Sequence, residues 1–402
     1  MTGISAVVPM AGAGVAALLL GGLLTEPMRR FALRHGITDR PSAHKAHTRP
    51  TPYLGGVAVA LATLAAGTAF ALARGVFDSV LAVLLGGAAI VCVLGLVDDL
   101  RQLGPKIRLF VETSTATLVV VAGGHPTVFG GAVDAVLAVL WIVFITNAFN
   151  LLDNMDGAAS SLCVVIGGFV CLTALAGDPD GLGVVMAALA GACLGFLFHN
   201  RNPARIFLGD AGSLFLGFTL ASAMMVRHDD AAGLSGPASL LLATLVPTLD
   251  TTLVMLSRYR ESRPLLQGGT DHIAHRLRRM GLTVPQVVRT LSAFAVVGCL
   301  AAMLVTYGLL APGIALLAAS AVGIGTVRLL LKVPAVATAS PRVTVPAGAL
   351  ADGGARTALR LRHSSGSGRR HRAVRPMAVP HSREARRATA LSPPAGTPVA
   401  PQ

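Results

Sequence analysis

Stretches of about twenty consecutive apolar residues recur along most of this chain, and nothing constrains its folding more. A helix of roughly 20 apolar residues crosses a bilayer core. Scanning for such stretches gives about eleven, at residues 5–24, 55–73, 79–97, 107–122, 132–149, 158–176, 181–198, 210–226, 236–256, 286–306 and 309–330. The fourth is the least apolar, because Arg108 and Glu112 fall in its first turns. The composition agrees, being 53% hydrophobic and 13% charged with a mean hydropathy of +0.68, and it argues against a soluble globule. The first run has no basic segment before it and no small-residue cleavage pattern after it, so it is expected to be a span and not a removable signal. The expected fold is all-α, a polytopic transmembrane helical bundle.

Positive charge in short loops marks the cytoplasmic side. The first loop carries Arg29, Arg30, Arg34, Arg40, Lys45 and Arg49, and the third carries Arg101, Lys106 and Arg108. The seventh has Arg201 and Arg205, and the ninth has Arg258, Arg260, Arg263, Arg276, Arg278 and Arg279. Even-numbered loops hold only Arg74 and Arg227, beside acids such as Asp178, Asp180, Asp229 and Asp230. Odd loops are therefore expected in the cytoplasm, with the N-terminus outside and the C-terminus inside.

Two domains are expected, a membrane-embedded part over residues 1–331 and a basic tail over 332–402 rich in Pro, Ala and Arg. Twelve Lys/Arg against Asp352 and Glu384 give that tail about +10 of the chain's +14. Its composition cannot bury a core, so it is expected to be disordered and to lie near anionic lipid. It has no interleaved aromatics, so nucleic acid is not expected as a partner. Cys92, Cys163, Cys171, Cys193 and Cys299 all lie in apolar runs without metal-site spacing and read as small core residues.

Ionisable groups at membrane depth are costly and mark function. Here they gather at the ends of runs on the side read as cytoplasmic. Asp98 and Asp99 end the third run in "GLVDDLRQLGPKIRL", a pair suited to a metal or to proton removal, with Lys106 and Arg108 nearby for phosphate. In "NAFNLLDNMDG", Asn147, Asn150 and Asp153 are spaced i, i+3, i+6 along one helical stripe. In "RIFLGDAGSLFLGF", Asp210 and Ser213 open the eighth run after a glycine, where a carboxylate could hold a divalent ion bridging a phosphate. In "GGTDHIAHRL", His272, His275 and Arg276 form a cationic face suited to phosphate.

Together with "HTRPTPYLGG", these motifs in this order resemble the polyprenyl-phosphate N-acetylhexosamine-1-phosphate transferases over about residues 40–330. The resemblance implies that Asn150 and Asp210 hold Mg²⁺, with Mn²⁺ as an alternative, and that Asp98 and Asp99 assist the lipid phosphate. It implies catalytic roles for Lys106, Asp153, His272 and His275, and substrate contacts for Asn147, Arg205, Ser213 and Arg276. The implied partners are a UDP-N-acetylhexosamine, a polyprenyl phosphate and the lipid bilayer of a bacterial plasma membrane, and a homodimer is a further expectation. Asn154 stands where the family's DGxDG pattern has Gly, and Ala274 where its HxHH motif has His. The ninth loop has no HHH-type run such as the pentapeptide transferase carries, so the chain resembles the GlcNAc-1-phosphate branch more than phospho-N-acetylmuramoyl-pentapeptide transferase. The rival readings are that pentapeptide transferase, a transporter, which would carry its polar groups at the midplane, and a CDP-alcohol phosphotransferase. The last would need "DGxxAR", whereas "AASS" follows Asp156-Gly157 here.

Overall fold

The computed structural model describes residues 4–39, 51–176, 180–228, 233–264 and 269–334. The basic tail beyond residue 334, with the expectation of its disorder, lies outside the described residues. So do Arg40, Lys45, Arg49 and "HTRP" of the first loop.

The described chain is helical apart from one short antiparallel ladder. It runs through α1 (Ile4–Arg34), β1 (Thr38–Asp39), β2 (Thr51–Pro52), α2 (Gly55–Arg74), α3 (Ser79–Arg101), α4 (Pro105–Gly123), α5 (Gly131–Leu152) and α6 (Ala158–Ala176). It continues through α7 (Gly181–Asn200), α8 (Gly209–Arg227), α9 (Ser235–Ala243), α10 (Leu245–Arg260), α11 (Ile273–Arg279), α12 (Val284–Thr306) and α13 (Pro312–Leu331). Nine helices among the described residues are long and apolar enough to cross a membrane. The expected ninth run is not one straight helix: α9 and α10 meet at a 73° bend and make at most one further span. Pro247 explains the break, because it lacks an amide hydrogen and its ring crowds the carbonyl four residues earlier, at Ala243. The expected fourth run, α4, carries Lys106, Arg108 and Glu112 and does not pass as a span by composition.

Helix α8 is the bundle's centre, with Ala211 to Met225 buried, and it packs on α2, α3, α4 and α5. Small residues let the helices approach closely, as in other membrane bundles. Gly191 and Gly195 of α7 lie against the α1 backbone at Gly14 and Leu18, where a methyl group would collide with a carbonyl oxygen. All five cysteines are free, four of them buried. The C-terminal ends of α1, α3, α5 and α7 and the N-terminal end of α8 reach one end of the bundle. The polar clusters read from the sequence therefore share one end.

Candidate active site

Glycines bring α8 against its neighbours at its first turn. A methyl group on Gly95 would strike the Asp210 carbonyl, and one on Gly56 would strike the Gly212 backbone. Gly209 has φ +73°, a conformation that disfavours other residues, and its α-carbon faces Asp99 and the Tyr53 carbonyl. The two oxygens of Asp99 accept the Asp210 and Ala211 amides at 3.0 and 3.1 Å. Asp99 is thus the N-terminal cap of α8, supplied from another helix, and its charge suits the positive end of the helix dipole. The same first turn is tied to the β2–α2 connection, where the Gly55 and Gly56 amides donate to Phe207 and Leu208.

Arg108 of α4 is the cation that organises the carboxylates. It donates to Asp98 at 2.7 Å and to the Asn150 carboxamide oxygen at 3.3 Å, and it lies 3.6 Å from Asp210. Asp98, buried, also accepts the Leu103 amide and so fixes the α3–α4 turn. Asn150 in turn donates to Asp210 at 2.7 Å and to Ser213 at 2.9 Å. Asn150 and Asp210, both expected at a metal, are thus in direct contact across 60 residues.

Asp98, Asp99 and Asp210 border a pocket of about 1470 Å³, with Arg108, Asn150 and Ser213 packed behind them. Its acidic side has Asp98, Asp99, Asp153, Asp156 and Asp210, and its basic side has His275, Arg278 and Arg279. Asp153 follows the end of α5, and burial, then repulsion from Asp210, Asp99 and Asp156, pushes its carboxyl up to about 8. Asp156 accepts Asn202 and the Ala204 amide, and Asn200 bonds Gly157 and Ile206, which latches the two loops of the acidic side together. Among the described residues no three His, Cys, Asp or Glu side chains converge as a preformed metal cage. The acidic side nevertheless fits Mg²⁺, which takes oxygen ligands from one or two carboxylates and completes its shell with water and substrate phosphates. Crowded carboxylates are the protein's half of such a site.

On the basic side a buried network docks the 271–276 segment onto α10. Asp250 accepts His272 Nδ1–H at 2.8 Å and the Ile273 amide at 2.7 Å. Asp271 pairs with Arg258 at 3.0 Å and with Arg263, and despite its burial these cations hold its carboxyl below the usual range. His275 faces the pocket, and burial, then the fields of His272 and Arg279, pushes its imidazole down to about 4.

Several residues expected to contact substrate or to be catalytic do not line the pocket. Arg276 is buried and spends its guanidinium on Ser257 and on the Asp271, Leu330 and Val333 carbonyls, so it staples α11 to α10 and α13. Asn147 sits one turn deeper than Asn150 and donates to Glu112 and to the Val143 carbonyl. Ser213 is fully buried behind Asn150, and His272 is buried against Asp250. Arg205 stands exposed, 3.6 Å from Glu26, and Lys106 is exposed and does not line the pocket. The sequence offers Arg108 only as a cation near Asp98 and Asp99 for phosphate; the structure spends it on Asp98 and Asn150.

The fold and site define a multi-pass helical membrane enzyme with one pocket lined by opposed acidic and basic residues. The sequence pattern of glycosyl transferase family 4 matches residues 81–228, which hold Asp98, Asp99, Arg108, Asn150, Asp153 and Asp210. A Streptomyces coelicolor protein named as a glycosyltransferase is 40% identical over 71% of this chain and 68% of its own length. A Bacillus subtilis protein named as an undecaprenyl-phosphate N-acetylglucosaminyl 1-phosphate transferase is 32% identical over 67% of this chain and 77% of its own. The decaprenyl-phosphate N-acetylglucosaminephosphotransferase of Mycolicibacterium smegmatis is 31% identical over 67% and 75%. The chain belongs to glycosyl transferase family 4.

Proposed function

We propose that this enzyme transfers N-acetylglucosamine 1-phosphate from its UDP-sugar to a polyprenyl phosphate at the cytoplasmic membrane face, releasing UMP and starting a cell-envelope polysaccharide. The lipid phosphate oxygen forms a bond to the sugar-bearing phosphorus, and the bond from that phosphorus to the bridging oxygen of UMP breaks. One observation carries the reading: carboxylates of α3, α8 and the loop after α5 and the cations of α11 line one pocket at one end of a membrane bundle. Its volume exceeds the roughly 300–1,000 Å³ of a pocket for one small ligand, which leaves room for a nucleotide sugar beside a lipid head group.

Two anions must meet, so the pocket has to neutralise phosphoryl charge. Arg278, Arg279 and neutral His275 suit the diphosphate of the donor, and Arg108 holds the carboxylates in place. Asp210, Asn150 and Asp153 would hold Mg²⁺, which when bound supplies Lewis-acid stabilisation of the transferring phosphoryl group. The Lys/Arg bias of the odd loops supports eleven spans with a cytoplasmic C-terminus, counting α4 and the bent α9–α10 pair. The lack of an HHH-type run in the ninth loop and the names of the relatives from Bacillus subtilis and Mycolicibacterium smegmatis favour GlcNAc 1-phosphate over the muramoyl-pentapeptide donor. Purified enzyme given a panel of UDP-sugars and polyprenyl phosphates should release UMP only when both substrates are present. UDP-sugar movement across vesicles without UMP release would instead identify a transporter. Cysteines placed in the ninth loop should resist an impermeant reagent applied to intact cells, and ready labelling there would reverse the orientation.

A further inference from the structure

We infer that Asp250, a buried residue of α10 that does not line the pocket, is a positioning residue for the donor nucleotide, acting through His272 and the start of α11. The inference rests on the proposed function, since it takes the pocket's basic side as the place of the donor's phosphates.

Three residues of α10 anchor the 271–276 segment: Asp250 to His272 and Ile273, Ser257 to Arg276 at 2.7 Å, and Arg258 to Asp271 at 3.0 Å. Asp250 differs from the other two in what it sets. Ser257 and Arg258 hold the side chains of Arg276 and Asp271, whereas Asp250 holds the backbone at the start of α11. Asp250, 1% exposed, accepts the first amide of α11, the helix that carries His275, Arg278 and Arg279 into the pocket. A carboxylate can only accept, so its contact also obliges His272 Nδ1 to carry the proton and fixes the orientation of that ring. The His272 and His275 rings stand edge to face with centroids 6.1 Å apart, so a turn of the first displaces the second. Asp250 thereby fixes where three pocket-lining side chains stand.

Asp250→Asn keeps the size of the side chain and an oxygen for the Ile273 amide but presents an NH₂ group to His272 Nδ1. In detergent-purified full-length enzyme this variant should bind radiolabelled UDP about ten- to a hundredfold more weakly, and raise the donor KM in step, because small misplacements of binding groups cost that much. The KM for polyprenyl phosphate and the thermal unfolding temperature should stay close to wild type. Ser257→Ala should lower thermal stability without moving UDP affinity. Should Asp250→Asn fail to fold, His272→Gln, which leaves the amide cap intact, must show the same donor-selective loss. A wild-type chain that binds no UDP would overturn the function reading and this inference together. Wild-type binding matched by the variant, or equal losses for donor and lipid acceptor, would overturn the inference alone.

Discussion

Asp99 and Asp210, 111 residues apart in the chain, meet where a carboxylate oxygen of Asp99 accepts the Asp210 amide at 3.0 Å. The second oxygen takes the next amide, so the side chain expected to work on the lipid phosphate is committed to the start of α8. Asp99→Asn retains one acceptor and should keep measurable UMP release. Asp99→Ala should lose about 0.5–2 kcal/mol of stability, the usual cost of a lost helix cap, together with most activity as Asp210 shifts. Thermal unfolding in detergent, run beside the activity assay, checks both, and wild-type behaviour of Asp99→Ala would refute the capping role.

Arg108 should be the most sensitive cation of the acidic side. Arg108→Ala leaves Asp98 buried without its counter-ion, and breaking such a pair typically costs about 3–5 kcal/mol; with Arg108 partly open to solvent, the lower end of that range is expected. Arg108→Lys keeps the charge but cannot reach Asp98 and Asn150 in one planar fork, so it should fold and turn over slowly. Full activity in Arg108→Lys would show that charge alone suffices.

Metal dependence separates the carboxylates. Asp210→Ala should abolish Mg²⁺-stimulated turnover, and Asn150→Ala should weaken it less, because a neutral amide contributes less to holding a divalent cation. Asp98→Ala should lower kcat with Mg²⁺ affinity nearly unchanged. Rates measured against Mg²⁺ concentration for the three variants distinguish these outcomes, and an Asp210→Ala enzyme with wild-type Mg²⁺ dependence would remove Asp210 from the site.

Gly95 and Gly86 lie on the same helix and make a matched pair. A methyl group at Gly95 meets the Asp210 carbonyl, whereas one at Gly86 meets nothing within 4 Å. Overpacking costs about 1–3 kcal/mol, so Gly95→Ala should destabilise the enzyme and impair turnover while Gly86→Ala leaves both unchanged. Equal effects of the two would mean that α3 and α8 do not approach as closely as described.

Acid should weaken the fold partly through His275. Its imidazole titrates near 4 when folded and near 6.5 when unfolded. Between those values the unfolded chain binds the extra proton, so this group's contribution is constant above about pH 6.5 and turns increasingly destabilising as pH falls toward 4. Asp271, held low by Arg263 and Arg258, adds stability that is lost at still lower pH. His275→Gln should flatten the pH dependence of thermal unfolding between pH 4 and 6.5, and an unchanged profile would contradict the depressed titration.

What the sequence determines by itself is the helical membrane architecture and the end at which the polar groups collect. Hydropathy is a sum over neighbouring residues, and loop charge is read one loop at a time, so neither needs long-range information. The stripe of Asn150 and Asp153 and the glycine before Asp210 are legible for the same reason. Only the tertiary structure decides which charged group faces which. Arg108 reads as a cation for phosphate until α4 packs beside α3 and α5 and turns it onto Asp98 and Asn150, and Asp99 reads as a free acid until Gly95 and Gly56 let α8 come within hydrogen-bond range. Lys106, two residues from Arg108, stays exposed while Arg108 reaches Asp98, and His272 is buried against Asp250 while His275, three residues on, lines the pocket. Which of each pair reaches the site is set by packing between segments distant in the chain.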